Sequence, residues 1–377
     1  MNILLVNWQD PENPQAGGAE VHLFEIFGRL AARGHRIRLI CSGWAGAARE
    51  ARVQDVEIIR VADRQSFVLQ GRGAIRRALA QESPDILVED VNKLPLYTAN
   101  LTRLPSYVIV PHLFGTTAFE EVPWWQAAIV WLTERPIPRA YRRSAFHAIS
   151  ESTRDDLVAR GIAPSRVKVI HPGVDLATYT PRPGLDRTPR PSFLYVGRLQ
   201  RYKGVGTAIA ALAIARRARP DLVLDIAGTG NDRARLEGLA RSLGVTEAVR
   251  FHGFVTLDDK LRLYRTSWAH VFPSVKEGWG MTIIEAAACG TPSVASNSPG
   301  LRDSVRDGET GYLVPHGDAE QLARRMLELA DDPGLVNRLG RQARTFAQQL
   351  TWDGAAAATE AHLTQVIAGG PDTETAT

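Results

Sequence analysis

Glu277-Gly278-Trp279-Gly280-Met281-Thr282-Ile283-Ile284-Glu285 follows an apolar run, Ala269-His270-Val271-Phe272-Pro273-Ser274, and the two stretches together decide the architecture. The run reads as a buried strand, the glycine-flanked segment as a turn, and Met281 to Cys289 as a helix stopped by Gly290. Glu277 then lies in the loop and Glu285 in the first helical turn. Free N–H groups and the positive dipole end at that helix start would draw an anion, while the carboxylates would accept hydrogen bonds from hydroxyls. A ligand bearing both hydroxyls and phosphates suits this mixture. The alternative is a helix start capped by acidic residues and nothing more.

A second strand, Phe193-Leu194-Tyr195-Val196, runs into Gly197-Arg198-Leu199-Gln200-Arg201-Tyr202-Lys203-Gly204. The Arg198 guanidinium can fork onto phosphate oxygens and Lys203 can add a point charge where glycine lets the backbone approach. A basic pair on its own is more often a solvated surface. Both motifs, however, stand at strand C-terminal ends, the edge where open α/β sheets bind ligands.

Short β-branched runs separated by amphipathic stretches continue the pattern on both sides. In the N-terminal half they are Ile3 to Val6, Ile37 to Ile40, Val56 to Val61, Ile86 to Val88, Tyr107 to Val110 and His147 to Ile149. In the C-terminal half they are Phe193 to Val196, Leu222 to Ile226, Val249 to Phe251, Val271 to Phe272, Ser293 to Ala295 and Gly311 to Val314. This alternation predicts α/β architecture with two Rossmann-like doubly wound domains. The expected boundaries are a first domain over 1–175, a proline-rich linker over 176–192 and a second domain over 193–351. The 377-residue length suits two domains of ordinary size.

Hydrophobic content of 44% and charged content of 23% are those of a soluble globular chain. Cys41 and Cys289 fall in different halves, so no disulfide framework is implied and a cytoplasmic location is expected. Met1 to Trp8 reads as a strand rather than a signal segment, and no run has transmembrane length. A net charge of +4 without a basic stripe interleaved with aromatics argues against nucleic acid as a partner.

The chain resembles the retaining glycosyltransferases of the GT-B fold, specifically family 4 (glycosyl transferases group 1), from Met1 to about Leu363. The resemblance rests on Glu277 with Glu285, on Gly197-Arg198 with Lys203-Gly204, on Gly17-Gly18-Ala19-Glu20, on His171-Pro172-Gly173-Val174-Asp175, and on the run from Glu285 to Ala295. It implies two domains facing an interdomain cleft, with a last helix, 352–367, crossing back to the first domain. A polar tail, 368–377, is expected to be disordered. The donor would be a nucleoside diphosphate sugar, with UDP- or GDP-sugars expected, and the acceptor a saccharide or lipid-linked hydroxyl.

By the same resemblance Arg198, Lys203, Glu277 and His112 are catalytic candidates, His112 matching the family histidine beyond a first-domain strand. Donor-binding candidates are Gly17, Gly18, Gly197, Phe254, Val255, Gly278, Trp279, Gly280, Met281, Thr282 and Glu285. Glu89, Asp90, Asn92 and Lys93, after the fourth strand, are candidates for acceptor hydroxyls, with a solvated loop as the rival reading. No side chains have metal-site spacing, and neither a metal nor another cofactor is expected.

Gly228-Thr229-Gly230 opens a helix after a strand, but Arg233 stands where a dinucleotide fingerprint needs its third glycine, which argues against a nicotinamide cofactor. Epimerase or phosphorylase chemistry on the same fold, and non-catalytic nucleotide-sugar binding, remain as rival functions. Trp124, Trp125 and Trp131, followed by Arg135, Arg139, Arg142 and Arg143, suit a helix at an anionic membrane surface equally as well as one packed on the core.

Overall fold

A computed structural model describes residues 1–115, 119 and 123–369. The chain forms two compact units, one of residues Met1–Gly173 with the last helix and one of residues Val174–Thr351.

In the first unit eight strands make one sheet: β1 (Asn2–Val6), β2 (Arg36–Cys41), β3 (Glu50–Val53), β4 (Val56–Arg60), β5 (Ile86–Asp90), β6 (Ser106–Val110), β7 (Ala145–Ala148) and β8 (Val167–Val169), in the order β3-β4-β2-β1-β5-β6-β7-β8. Every pairing is parallel except β3 with β4. Its helices are α1 (Gly18–Ala32), α2 (Phe67–Glu82), α3 (Trp124–Glu134), α4 (Ile137–Ala140) and α5 (Glu151–Ala159). Because both sheet faces are covered, central strands read as unbroken apolar runs rather than alternating ones. One face buries Leu4, Val6, Ile40 and Leu87 against Phe67 and Ile75 of α2, and such side chains each contribute about 1.5–3 kcal/mol.

The second unit holds α6 (Val205–Ala215), α7 (Arg233–Ser242), α8 (Leu257–Thr266), α9 (Met281–Ala288), α10 (Leu301–Ser304), α11 (Ala319–Asp331) and α12 (Pro333–Ala347). Its all-parallel sheet comprises β9 (Ser192–Val196), β10 (Val223–Ala227), β11 (Val249–Gly253), β12 (Ala269–Phe272), β13 (Ser293–Ser296) and β14 (Gly311–Val314), ordered β11-β10-β9-β12-β13-β14. In each sheet the chain winds outward one way and then the other. The reversals fall between β1 and β5 and between β9 and β12.

Three expectations change. The edge strand β3 and the three-residue β8 went unread: the first is polar and half exposed, the second too short to show a period. The segment 176–192 is no free linker. Thr188 N–H donates to Thr266 O at 2.9 Å, Arg187 to Gly290 O at 2.9 Å and Arg265 to Thr180 O at 2.7 Å, which lash it to the second unit. The last helix, α13 (Trp352–Gly369), includes Ala368 and Gly369, which had been assigned to the tail; the rest of that tail lies outside the described residues.

Candidate active site

The loops leaving β9 and β12 interlock at the reversal point of the second sheet. Gly204 (φ 68°) links the 3-10 turn Arg201–Lys203 to α6, and a Cβ there would stand 2.1 Å from Pro273 O. Only glycine allows both that conformation and that approach. Val275 N–H donates to Tyr202 O at 3.0 Å, so the two loops are stitched together through backbone. Behind the β12 loop, a Cβ at Gly300 (φ 79°) would fall 2.1 Å from Glu277 O.

This packing joins the two basic and acidic motifs. Lys203 Nζ donates to Glu277 Oε1 at 2.6 Å across 74 residues of sequence, with both side chains largely buried. The ammonium also stands 5.0 Å from the Tyr202 ring and 5.4 Å from that of Phe272. Lys203, expected at phosphate, and Glu277, expected at sugar hydroxyls, thus satisfy one another. Arg198 is exposed beside them and touches Tyr202 Oη at 3.3 Å.

α9 begins at Gly280 without a side-chain cap. Met281 N–H is engaged by Trp279 O at 3.0 Å, so among the expected anion donors it is already in use. Thr282 keeps a hydroxyl without a hydrogen-bond partner, Trp279 is buried, and Gly278 and Gly280 leave the turn uncluttered by side chains. Gly197 opens the β9 loop, its N–H held by Ala227 O at 3.0 Å.

Glu285 corrects its assignment. As the fifth residue of α9 it lies in the second turn and caps nothing. Its carboxylate instead accepts from Tyr264 Oη at 2.8 Å and from Lys260 Nζ at 3.2 Å on both oxygens. Neither α8 residue was singled out from sequence; their i, i+4 spacing before a strand is the signal that was there to find. Between β11 and α8, Phe254 is 86% exposed, and Val255 packs against the core that holds Tyr264.

The reversal point of the first sheet gathers the other candidates. Gly17 and Gly18 start α1 exposed, Gly17 N–H donating to Glu20 Oε2 at 2.7 Å. Beside them Asn92 Nδ2 donates to Asn7 Oδ1 at 3.0 Å and Lys93 Nζ to Gln9 Oε1 at 2.6 Å. Lys93 lines a pocket of about 850 Å³ with Gln9, Asn13, Trp44 and Arg64, polar and aromatic residues not picked out from sequence. Burial lowers the Lys93 pKa, and the nearby Glu20 opposes that shift.

Two of the acceptor candidates turn inward. Glu89 is 2% exposed and accepts from Leu96 N–H, Tyr141 Oη, Thr98 N–H and Thr98 Oγ1 at 2.6–2.9 Å. With both oxygens so filled it anchors the loop after β5 and cannot serve an acceptor. Asp90 is equally buried and lacks a hydrogen-bond partner; burial first and Glu20 second push its carboxyl well above the ordinary range. A side chain buried within the fold replaces the expected surface carboxylate. His112 follows β6, half-buried, its ring edge-on to Phe114 at 4.7 Å.

Comparison with known proteins accords with this geometry. The family model described as Glycosyltransferase Family 4 matches residues 16–178, and that described as Glycosyl transferases group 1 matches residues 181–346. A D-inositol 3-phosphate glycosyltransferase of Streptomyces bingchenggensis is 38% identical over 230 residues, 56% of this chain and 50% of that protein. The chain thus spans about half the length of the first curated relatives it matches. A glycogen synthase of Mycobacterium tuberculosis is 29% identical over 94% of this chain and 91% of its own. Among solved structures, sucrose-phosphate synthase from Thermosynechococcus elongatus superposes with a TM-score of 0.83 at 22% identity, covering 97% of this chain and 99% of that one. Anabaena HepE in complex with UDP-glucose gives a TM-score of 0.76 at 19% identity, covering 97% and 100%. Two such family matches, end to end over two doubly wound units, make this chain a member of the family 4 glycosyltransferases of the GT-B fold.

Proposed function

We propose that the chain transfers a sugar from a nucleoside diphosphate donor to a hydroxyl acceptor with retention of anomeric configuration and without a metal ion. The observation that carries this reading is the 2.6 Å contact of Lys203 with Glu277 at the sheet reversal, beside a helix start. An incoming diphosphate competes for the Lys203 ammonium and releases Glu277, whose carboxylate then accepts from hydroxyls of the donor sugar. Arg198, Lys203 and the first-turn N–H groups of α9 that follow Met281 stabilise the negative charge that grows as the bond from sugar C1 to phosphate oxygen breaks. The acceptor oxygen bonds to C1 from the face the diphosphate leaves, and its proton passes to the leaving phosphate.

Phe254 and Val255 flank the base, and Glu285 accepts from the ribose. Gly17, Gly18 and His112 serve the donor and acceptor from the first unit, where Asn92 and Lys93 meet the acceptor. UDP- and GDP-sugars are the expected donors. A lipid-linked acceptor of the cell envelope is favoured by α3, where Trp124 is 75% exposed and Trp125 51%, and by the arginines that follow.

The test begins with thermal shifts over UDP-, GDP- and dTDP-sugars, since a ligand stabilises in proportion to the logarithm of its concentration over Kd. The stabilising donor is then incubated with hydroxyl acceptors, and the anomeric configuration of the product is read by NMR. Retention, undiminished by EDTA, is expected. An inverted product, or activity that EDTA abolishes and magnesium or manganese restores, would overturn the reading.

A further inference from the structure

The first unit carries another cavity at the edge of its sheet away from the candidate active site. β6 begins at Ser106 and β7 at Ala145, and the segments that enter them line a space of about 420 Å³ together with the last turn of α13. His112 follows the opposite end of β6, a strand of five residues or roughly 16 Å.

The walls of this cavity are fixed through backbone. Asn100 N–H donates to Tyr97 O at 3.2 Å, Leu104 N–H to Thr102 Oγ1 at 3.0 Å, and Leu87 N–H to Pro105 O at 3.0 Å. Across from them Arg166 Nε donates to Ser144 O at 3.0 Å, and the hydroxyls of Ser144 and Ser106 meet at 2.7 Å. Arg103, Arg142 and Arg143 line the space, all three exposed, and no carboxylate lines it with them. A single surface arginine is usually just solvated, and arginines near a helix C-terminus can serve to offset its dipole. Among the described residues, however, none of these three donates to a carbonyl of α13, to a carboxylate or to any other acceptor. The adjacent Arg166, by contrast, is committed to Tyr141 O and Ser144 O. Three like charges held at one concavity repel one another, and an anion among them relieves that repulsion.

A guanidinium stays charged at any working pH, and its fork matches phosphate oxygens. A phosphomonoester brings about −1.5 to −2 charges and three acceptor oxygens, which answers three arginines better than the single charge of a carboxylate. The remaining lining suits a small hydroxylated body. Thr102 Oγ1 accepts from backbone and keeps its proton to donate, Asn100 offers an amide, and Ile367 supplies apolar surface. We propose that this cavity is a second anion site, which binds a compact phosphomonoester either as a free sugar or glycerol phosphate or as a lipid headgroup. It is independent of the donor assignment, which concerns the second unit.

Calorimetric titration tests the site with mannose 6-phosphate, glycerol 3-phosphate and inorganic phosphate, and with mannose as the uncharged control. Salt of about 0.15 M limits electrostatic reach to about 8 Å and suppresses diffuse attraction. Wild type is expected to bind the phosphomonoesters and to ignore mannose. Arg103→Gln and Arg142→Gln should each weaken that binding about tenfold or more, as the loss of a charge-assisted hydrogen bond implies. Both substitutions fall on exposed side chains, so an unchanged melting temperature separates lost binding from lost fold. Arg198→Ala should bind the phosphomonoesters as wild type does. Cosedimentation with phosphatidylcholine vesicles that carry phosphatidylinositol 4-phosphate or, at matched charge, phosphatidylglycerol separates the two sources. A headgroup ligand predicts preference for the monoester lipid, weakened in Arg103→Gln and displaced by mannose 6-phosphate; a free ligand predicts soluble binding without that preference. Phosphomonoester affinity unchanged in both glutamine variants, or lost in Arg198→Ala, would place the anion elsewhere and overturn the proposal. Failure of every soluble probe to bind, without preference between the two vesicle types, would reduce the arginines to surface charge and overturn it as well.

Discussion

Lys203 and Glu277 show what a residue can owe to a partner the sequence does not announce. The eight-residue interval from Glu277 to Glu285 was legible because both sit in one strand-turn-helix unit, but their bonds run to Lys203 and Lys260 on other elements. Sequence spacing carries no information about such tertiary neighbours. The pair also sets the sign of an effect. If diphosphate binds Lys203 as proposed, Glu277→Gln removes its competitor for the ammonium, so bare nucleoside diphosphate should bind a few-fold tighter while turnover falls. The unliganded variant should be less stable by up to about 3 kcal/mol, because a buried charge loses its partner, and pyrophosphate should restore much of its melting temperature. Titration and thermal melts read both quantities; weaker nucleotide binding in the variant would contradict the competition. Lys203→Ala should keep the fold and lower turnover roughly a hundred- to a thousandfold, as expected for loss of one preorganised donor to a leaving group, and Arg198→Ala should act alike. Wild-type turnover in either variant would remove that residue from the diphosphate.

Elements were legible where they were long, apolar or punctuated by glycine. The central strands of both sheets stand within a residue or two of their expected ends, since burial on both faces leaves little polar residue type among them. β3 escaped because an edge strand needs no apolar face, and Glu50-Ala51-Arg52-Val53 presents charge to solvent as an edge should. The helix α3 had two readings in sequence, core packing or membrane contact. Among its residues only Ala127 and Glu134 are buried, while Trp124, Trp125, Ile129 and Leu132 are exposed, and Arg135 stacks at 4.2 Å on Trp131. Among the described residues no carboxylate pairs with Arg135, Arg139, Arg142 or Arg143. Such an element is expected to carry the protein onto anionic vesicles at low salt and to release it as salt shortens electrostatic reach to about 10 Å at 0.1 M. Replacing Arg139, Arg142 and Arg143 with Ser should abolish cosedimentation and leave donor affinity unchanged. Wild type that ignores anionic vesicles would withdraw the lipid-linked acceptor.

At the scale of the whole molecule, the docking of α13 onto the first unit was the part least accessible to sequence. Resemblance implied a helix crossing back, yet nothing in Trp352 to Gly369 names its partners, because those lie 255 to 327 residues away. They are Arg29 with Asp353 at 2.8 Å, Arg33 with Glu360 at 2.7 Å, and Tyr107 Oη with His362 Nδ1 at 3.0 Å. Inside this contact His22 packs against His147 and Trp352, with ring centroids 5.5 and 6.1 Å away. Burial lowers the pKa of His22 to about 4 and that of His147 to about 3, and it lowers His362 to about 4. These folded values lie below the unfolded value of 6.5. Above pH 6.5 neither state holds the extra protons and the contact keeps its full stability. As pH falls further, the unfolded chain takes up protons that the folded one refuses, and each fully buried histidine removes about 1.4 kcal/mol per pH unit until its folded pKa is reached. His270 is the corresponding group in the second unit, its pKa lowered to about 3. With His22 and His147 both fully buried, and His362 adding a smaller share because it is partly exposed, the first unit should lose protection before the second as pH drops toward 4.5, a pH within the range of about 3 to 6.5 set by these groups. Hydrogen exchange followed by peptide mass analysis distinguishes the two units. His22→Phe keeps an aromatic ring in the contact and removes one titrating group, so its denaturant-derived stability should vary with pH by about one proton less than wild type between pH 6 and 5. An unchanged slope would mean that His22 takes up its proton in the folded state, and acid sensitivity would then have to arise elsewhere in the α13 contact.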